Sequence, residues 1–155
     1  MNLKKFKFEK KGDNRGYLLE LISNKINFNF KYSILTTSKK NVIRGLHFDK
    51  MLNENKVIFV QYGKINDFCV DLRKGKNYGK IYKNVLLANE GLYIPKGYAH
   101  GYSCKQKINT IIYFLSKKYH KKNHDGIIWN DKTLAINWGV KKPIISDRDK
   151  KLKNF

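Results

Sequence analysis

The chain has 155 residues, 41% of them hydrophobic and 14% aromatic, and a formal charge of +21. That length and apolar content suit one domain, spanning residues 1–155, with one core, and exclude an intrinsically disordered chain. No apolar run approaches a membrane span, and the basic N-terminus lacks the apolar stretch of a signal peptide. Cys69 and Cys104 are too few for a disulfide framework, so a reduced, cytoplasmic protein is expected.

In chain order, the sequence reads as short strands. FKYSILTTS alternates polar and apolar residues, and KKNVIRGLHF follows a lysine pair. KVIFVQYG is a β-branched and aromatic run ended by Gly63; INDFCVDLRKG, GKIYKNVLL, GLYIPKGYAHGYS and INTIIYFLS come next. Gly, Asn and Lys turns separate them at fairly even spacing, and no segment carries a long 3.6-residue stripe. Short helical turns are expected near LLELIS and at TLAINW. The pattern predicts an all-β barrel or sandwich, with a jelly roll among the leading forms.

The charge has two readings. A field of this sign suits a polyanion, but only four of the 33 basic residues are arginine: Arg15, Arg44, Arg73 and Arg148. Arginine is the residue suited to bidentate phosphate and base-edge contacts. Lysines scattered among asparagines and isoleucines read better as a solvated surface, or as a field steering a small phosphorylated ligand. No nucleic-acid or membrane partner is expected.

Two stretches carry candidate chemistry. RGLHFDK sets His47 and Asp49 two residues apart, on one side of a strand. LYIPKGYAHGY sets His100 on the strand after a Pro95–Gly97 turn. Three readings stay open on residue type alone. His47, Asp49 and His100, with Glu54 as a spare carboxylate, could make a two-histidine, one-carboxylate metal face. His47 could act as a base, with Tyr113 as a phenolic acid and Lys56 at a cavity mouth. Or each is a packed residue with its polar atoms satisfied.

NVIRGLHF, KVIFVQYGKINDFCVDLRKG, GLYIPKGYAHGYS and DGIIWND, in this order and with the earlier GDNRGYLLE, resemble the dTDP-4-dehydrorhamnose 3,5-epimerase family. The resemblance runs from about Gly12 to Asp149. It implies a cupin jelly-roll (double-stranded β-helix) without a catalytic metal or other cofactor, commonly a homodimer with exchanged N-terminal strands. The implied reaction inverts C3 and C5 of a nucleotide-linked 4-keto-6-deoxyhexose in surface-polysaccharide synthesis. By the same resemblance His47 is the base and Asp149 its carboxylate partner, with Asp147 the fallback. Tyr113 is the acid on the other face, and Lys56 stabilises the enolate. His100 and Asp67 line the site, Arg15 and Arg44 meet the diphosphate, Glu20 lies near the nucleotide, and Tyr119 packs on the base.

The chain departs from the family at Asp49, where relatives carry Gln and where substrate contact is expected, at the more apolar Ser33-Ile34-Leu35, and at Lys118-Tyr119. These departures bear on the sugar and nucleotide. Alternatives on the same scaffold are a C3- or C5-only epimerase or a 3,4-ketoisomerase, on a dTDP-, GDP- or CDP-sugar. A non-catalytic sugar-binding cupin is a different class.

Overall fold

A computed structural model describes residues 2–21, 26 and 29–155. Two five-stranded antiparallel sheets face each other. The first runs β1 (Lys4–Lys7), β9 (Glu90–Ile94), β6 (Lys56–Tyr62), β11 (Ile108–Leu115), β4 (Tyr32–Lys39). The second runs β12 (His124–Gly126), β5 (Ile43–Asp49), β10 (Tyr98–Cys104), β7 (Lys64–Asp71), β8 (Ile81–Leu87). This is the all-β jelly-roll architecture expected from the strand pattern.

The runs without clean alternation are strands covered on both faces. In KVIFV, Ile58 and Val60 enter the cluster between the sheets with Ile65, Cys69, Leu92, Tyr102 and Ile111. Val57 and Phe59 turn outward, against Phe8, Tyr93 and Phe114. The second sheet does the same: Leu46, Phe68, Val70 and Ala99 point outward under Ile127, Leu134 and Trp138. Burying each of the Val, Leu, Ile and Phe side chains is worth about 1.5–3 kcal/mol. The outer layer matters for function because it leaves the inner ends of the strands free to carry polar groups.

β2 (Lys11–Asp13) and β3 (Gly16–Leu18) form an exposed hairpin that, among the described residues, pairs only with itself. Residues 143–155 strap the second sheet. Ile43 N–H donates to the Ile144 carbonyl at 3.1 Å, and Ile128 N–H to that of Lys153 at 2.8 Å.

Of the two expected helical turns one forms, a single turn from Asp131 to Ala135 that overlaps TLAINW. Leu18–Leu21 hold none, and Ile22 and Ser23 of LLELIS lie outside the described residues. At TLAINW the Asp131 side chain and carbonyl accept the N–H groups of Leu134 and Ala135 at 2.8 and 2.9 Å. Ala135, at φ 45°, then ends the turn. Two 3-10 turns stand in addition at Lys121–Asn123 and Asp149–Lys151.

Candidate active site

The inner faces of β5, β10 and β7 place His47 opposite His100, and His100 opposite Cys69. Across the gap, Tyr113 stands opposite Ile58 and Lys56 opposite Leu115. A cavity of about 310 Å³ lies between the two sheets, lined by His47, His100, Lys56, Tyr113, Arg44 and seven further residues. Arg44 is an odd number of residues from His47, so a regular strand would aim it away. The ladder slips between His100 and Tyr102, giving β5 one extra residue, and both side chains reach the cavity. Gly45 makes this possible. It sits at φ 113°, and a Cβ there would stand 2.5 Å from Gly101 Cα and 2.7 Å from the His100 carbonyl oxygen.

His47 Nε2 lies 2.8 Å from Asp149 Oδ1. Burial pushes the Asp149 carboxyl up. The His47 contact, the Gly45 N–H at 3.3 Å and the Ser146 hydroxyl outweigh burial and hold it below its ordinary range. The pairing expected for Asp149 is therefore the one the fold makes, whereas Asp147 is exposed and pairs with Lys150. An ionised Asp149 accepts the Nε2–H and leaves Nδ1 with its lone pair.

His100 Nε2 and Asp67 Oδ2, both buried, approach to 2.5 Å. Cys69 lies with them, and one potential ligand atom of each lies within 4.8 Å of the others. Burial, then the Asp67 charge, pushes the Cys69 thiol well up. Protonated, it donates to Asp67 Oδ1 at 3.7 Å. The donors are satisfied by one another, so this cluster reads as a hydrogen-bonded network. The metal face considered from sequence does not assemble: Asp49 turns its carboxylate to the Asn53 N–H at 3.1 Å, closing the turn after β5. Asp49 is also absent from the cavity lining.

Tyr113 is half-buried beside His100 and Tyr102, with ring centroids at 6.3 and 6.5 Å. Burial, then Tyr102, pushes its phenol well up, so it holds its proton. Arg44 Nε donates to Ser38 Oγ at 2.9 Å, which fixes the guanidinium at the wall. Lys56 Nζ lies 3.4 Å from Glu54 Oε2, and His124 Nε2 lies 3.4 Å from the same oxygen.

Not every expected residue arrives. Arg15 sits on the β2–β3 hairpin, forked onto Asp13 with Nη2 to Oδ2 at 2.5 Å, and Glu20 pairs with Lys11 at 2.7 Å. Neither lines this cavity within one chain. Tyr119 does line it, but the ring it faces is that of His124, with centroids at 4.6 Å. Sequence reasoning missed His124 and Arg148, and placed Glu54 only as a spare carboxylate; all three line the cavity. The polar HDG just before the apolar IIW was the available signal for His124.

A family model described as dTDP-4-dehydrorhamnose 3,5-epimerase matches residues 2–155. The dTDP-4-dehydrorhamnose 3,5-epimerase of Shigella flexneri is 33% identical over 149 residues, 89% of this chain and 82% of its own length. Two solved structures superpose closely. The dTDP-4-dehydrorhamnose 3,5-epimerase of Bacillus anthracis, with TDP and PPi bound, has 33% identity and a TM-score of 0.92, covering 99% of this chain and 94% of its own. The dTDP-6-deoxy-D-glucose-3,5-epimerase of Legionella pneumophila, in complex with dTDP-4-keto-L-rhamnose, has 28% identity and a TM-score of 0.90, covering 98% and 87%.

Proposed function

The chain belongs to the dTDP-4-dehydrorhamnose 3,5-epimerase family, and from that membership we propose that it epimerises a dTDP-linked 4-keto-6-deoxyhexose at C3 and C5. The observation that carries the reading is the His47–Asp149 pair, whose His47 lines one cavity with Lys56 and Tyr113.

A C–H beside a ketone is acidic because its electron pair can move onto the carbonyl oxygen. His47 Nδ1 takes the proton, and Asp149 stabilises the imidazolium that forms. The Lys56 ammonium faces the enolate oxygen and lowers the cost of its charge. Tyr113 returns a proton to the carbon from the other side, and the configuration inverts. Its phenolate regains a proton from solvent or from the imidazolium, so no atoms are gained or lost. A second round at the other carbon repeats these steps. The buried His100–Asp67 pair supports binding of the sugar, and Arg44 meets the diphosphate as a planar fork.

Arg15 and Glu20 fit this scheme in a homodimer. A hairpin reaching over a second copy's cavity would add Arg15 to the anion site and Glu20 to the nucleotide. Cys69 and Cys104, both buried and unpaired, suit a reducing, cytoplasmic setting. No helix among the described residues is long and apolar enough to cross a membrane.

The test is incubation with dTDP-4-keto-6-deoxyglucose in heavy water, followed by NMR. Deuterium at both C3 and C5 is expected, at a rate a chelator leaves unchanged. Label at one carbon only makes the protein a mono-epimerase. No label from dTDP-, GDP- or CDP-linked ketosugars, with the protein folded, overturns the reading.

A further inference from the structure

Each basic nitrogen proposed for the chemistry has a buried carboxylate behind it. His47 has Asp149 and His100 has Asp67, at 2.8 and 2.5 Å. Lys56 has Glu54, but the geometry differs. Glu54 Oε2 stands 3.4 Å from Lys56 Nζ and 3.4 Å from His124 Nε2, so one oxygen is divided between two nitrogens. Its other oxygen, Oε1, is buried with no hydrogen-bond partner among the described residues. The Glu54 side chain is only 2% exposed.

A buried carboxylate with one oxygen unsatisfied is an expensive arrangement. A fold that needed only packing at this place would be served by an apolar residue. We propose that Glu54 is a positioning residue of the epimerisation: its shared carboxylate holds the Lys56 ammonium aimed at the substrate's carbonyl oxygen. This rests on the epimerase reading.

Three features support it. Glu54 is the one carboxylate among the cavity's lining residues, while Arg44, Arg148, Lys56 and His124 bring positive or protonatable groups. Second, burial pushes the Glu54 carboxyl up, but His124 and Lys56 together hold it below its ordinary value, so it is ionised when the cavity works. Third, the contact to Lys56 is long. A tight pair would sequester the ammonium, whereas a carboxylate divided between two donors fixes its direction and leaves its other hydrogens for the ligand. His124 is itself held in place, with its ring against Tyr119 and Nδ1 3.1 Å from the His120 carbonyl.

The test is a double-mutant cycle of Glu54→Gln and Lys56→Met, read by deuterium wash-in at C3 and C5. Glu54→Gln alone is expected to lower kcat by about 10- to 100-fold, with KM within about threefold. In the Lys56→Met background it should change kcat by less than about twofold, because the group it positions is gone. Glu54→Asp keeps the charge but withdraws it, and should fall between. An equal loss in both backgrounds, or wild-type kcat in Glu54→Gln, overturns the proposal. If Glu54→Gln fails to fold, wild-type kcat in Glu54→Asp overturns it, and an intermediate kcat that Lys56→Met abolishes as a separate effect supports it. Failure of the wild type to wash in deuterium would instead sink the epimerase reading. The Glu54–Lys56 coupling is then judged from the ¹⁵N signal of Lys56 Nζ, expected to shift on Glu54→Gln; no shift refutes it.

Discussion

Asp149→Asn changes one atom and removes one charge, and the surroundings of Asp149 allow its effect to be worked through. In the native site Oδ1 faces His47 Nε2 at 2.8 Å and Oδ2 accepts the Gly45 N–H at 3.3 Å. An amide cannot serve both. With its oxygen toward Gly45, its NH₂ donates to Nε2, drives the ring proton to Nδ1 and removes the lone pair that takes the substrate's proton. With its oxygen toward His47, the NH₂ faces the Gly45 N–H, donor against donor. The second arrangement keeps the tautomer but loses the charge beneath the imidazolium. A hydrogen bond to a charged group is worth about 1.5–3 kcal/mol. The His47 side chain is 30% exposed, so the lower half of that range applies. About 1.5–2 kcal/mol corresponds to roughly a 10- to 30-fold loss in kcat. The first arrangement removes general-base catalysis and raises the loss to about 10²- to 10⁴-fold. Asp149 does not line the cavity, so KM should hold. The assay is deuterium wash-in at saturating dTDP-4-keto-6-deoxyglucose, with the fold checked by thermal unfolding. A folded Asp149→Asn protein within threefold of wild-type kcat would refute the assignment of His47 as the base.

Tyr113→Phe should leave deuterium wash-in at C3 running while epimer formation falls by about 10²-fold or more; NMR sees both, and undiminished inversion would remove Tyr113 from the acid's place. Stability should be lost in acid. Asp149, Asp71 and Asp131 are all held below their ordinary values, so each stabilises the fold above about pH 4, and that stability goes as pH falls through the folded-state values. Asp131→Asn, which weakens the acceptor for the Leu134 and Phe155 N–H groups, should lower stability at pH 7 and flatten this acid dependence in denaturant titrations. Gly45→Ala should destabilise by about 3 kcal/mol or more and abolish exchange, since its Cβ meets Gly101. Gly75→Ala, at φ 132° with nothing within 4 Å, should cost only about 1–2 kcal/mol. Equal melting shifts for the two would contradict the close-approach argument.

The sequence made the central strands legible because burial leaves a period-two or continuous apolar trace, as in FKYSILTTS and KVIFV. It left the β2–β3 hairpin silent, because strands exposed on both faces carry no such trace. Periodicity also misplaces Asp49. It shares a strand side with His47, but the turn after β5 needs an acceptor, and that local demand takes the carboxylate. The His47–Asp149 pair came from resemblance alone, since no spacing rule joins residues 102 apart. The Glu54–His124 contact stayed hidden for the same reason: 70 residues separate its partners, and β12 becomes a neighbour of β5 only in the folded sheet.

The strap over the second sheet carries a part of the site that no strand supplies. A chain made as far as Lys142 already holds every strand of both sheets, with His47, Lys56, His100 and Tyr113 among them. It lacks Asp149 and the Ile144 and Lys153 bridges that seat it. Under the proposed mechanism, the strap is what orients the base: the strands alone supply His47 but neither its carboxylate partner nor Arg148 of the cavity wall.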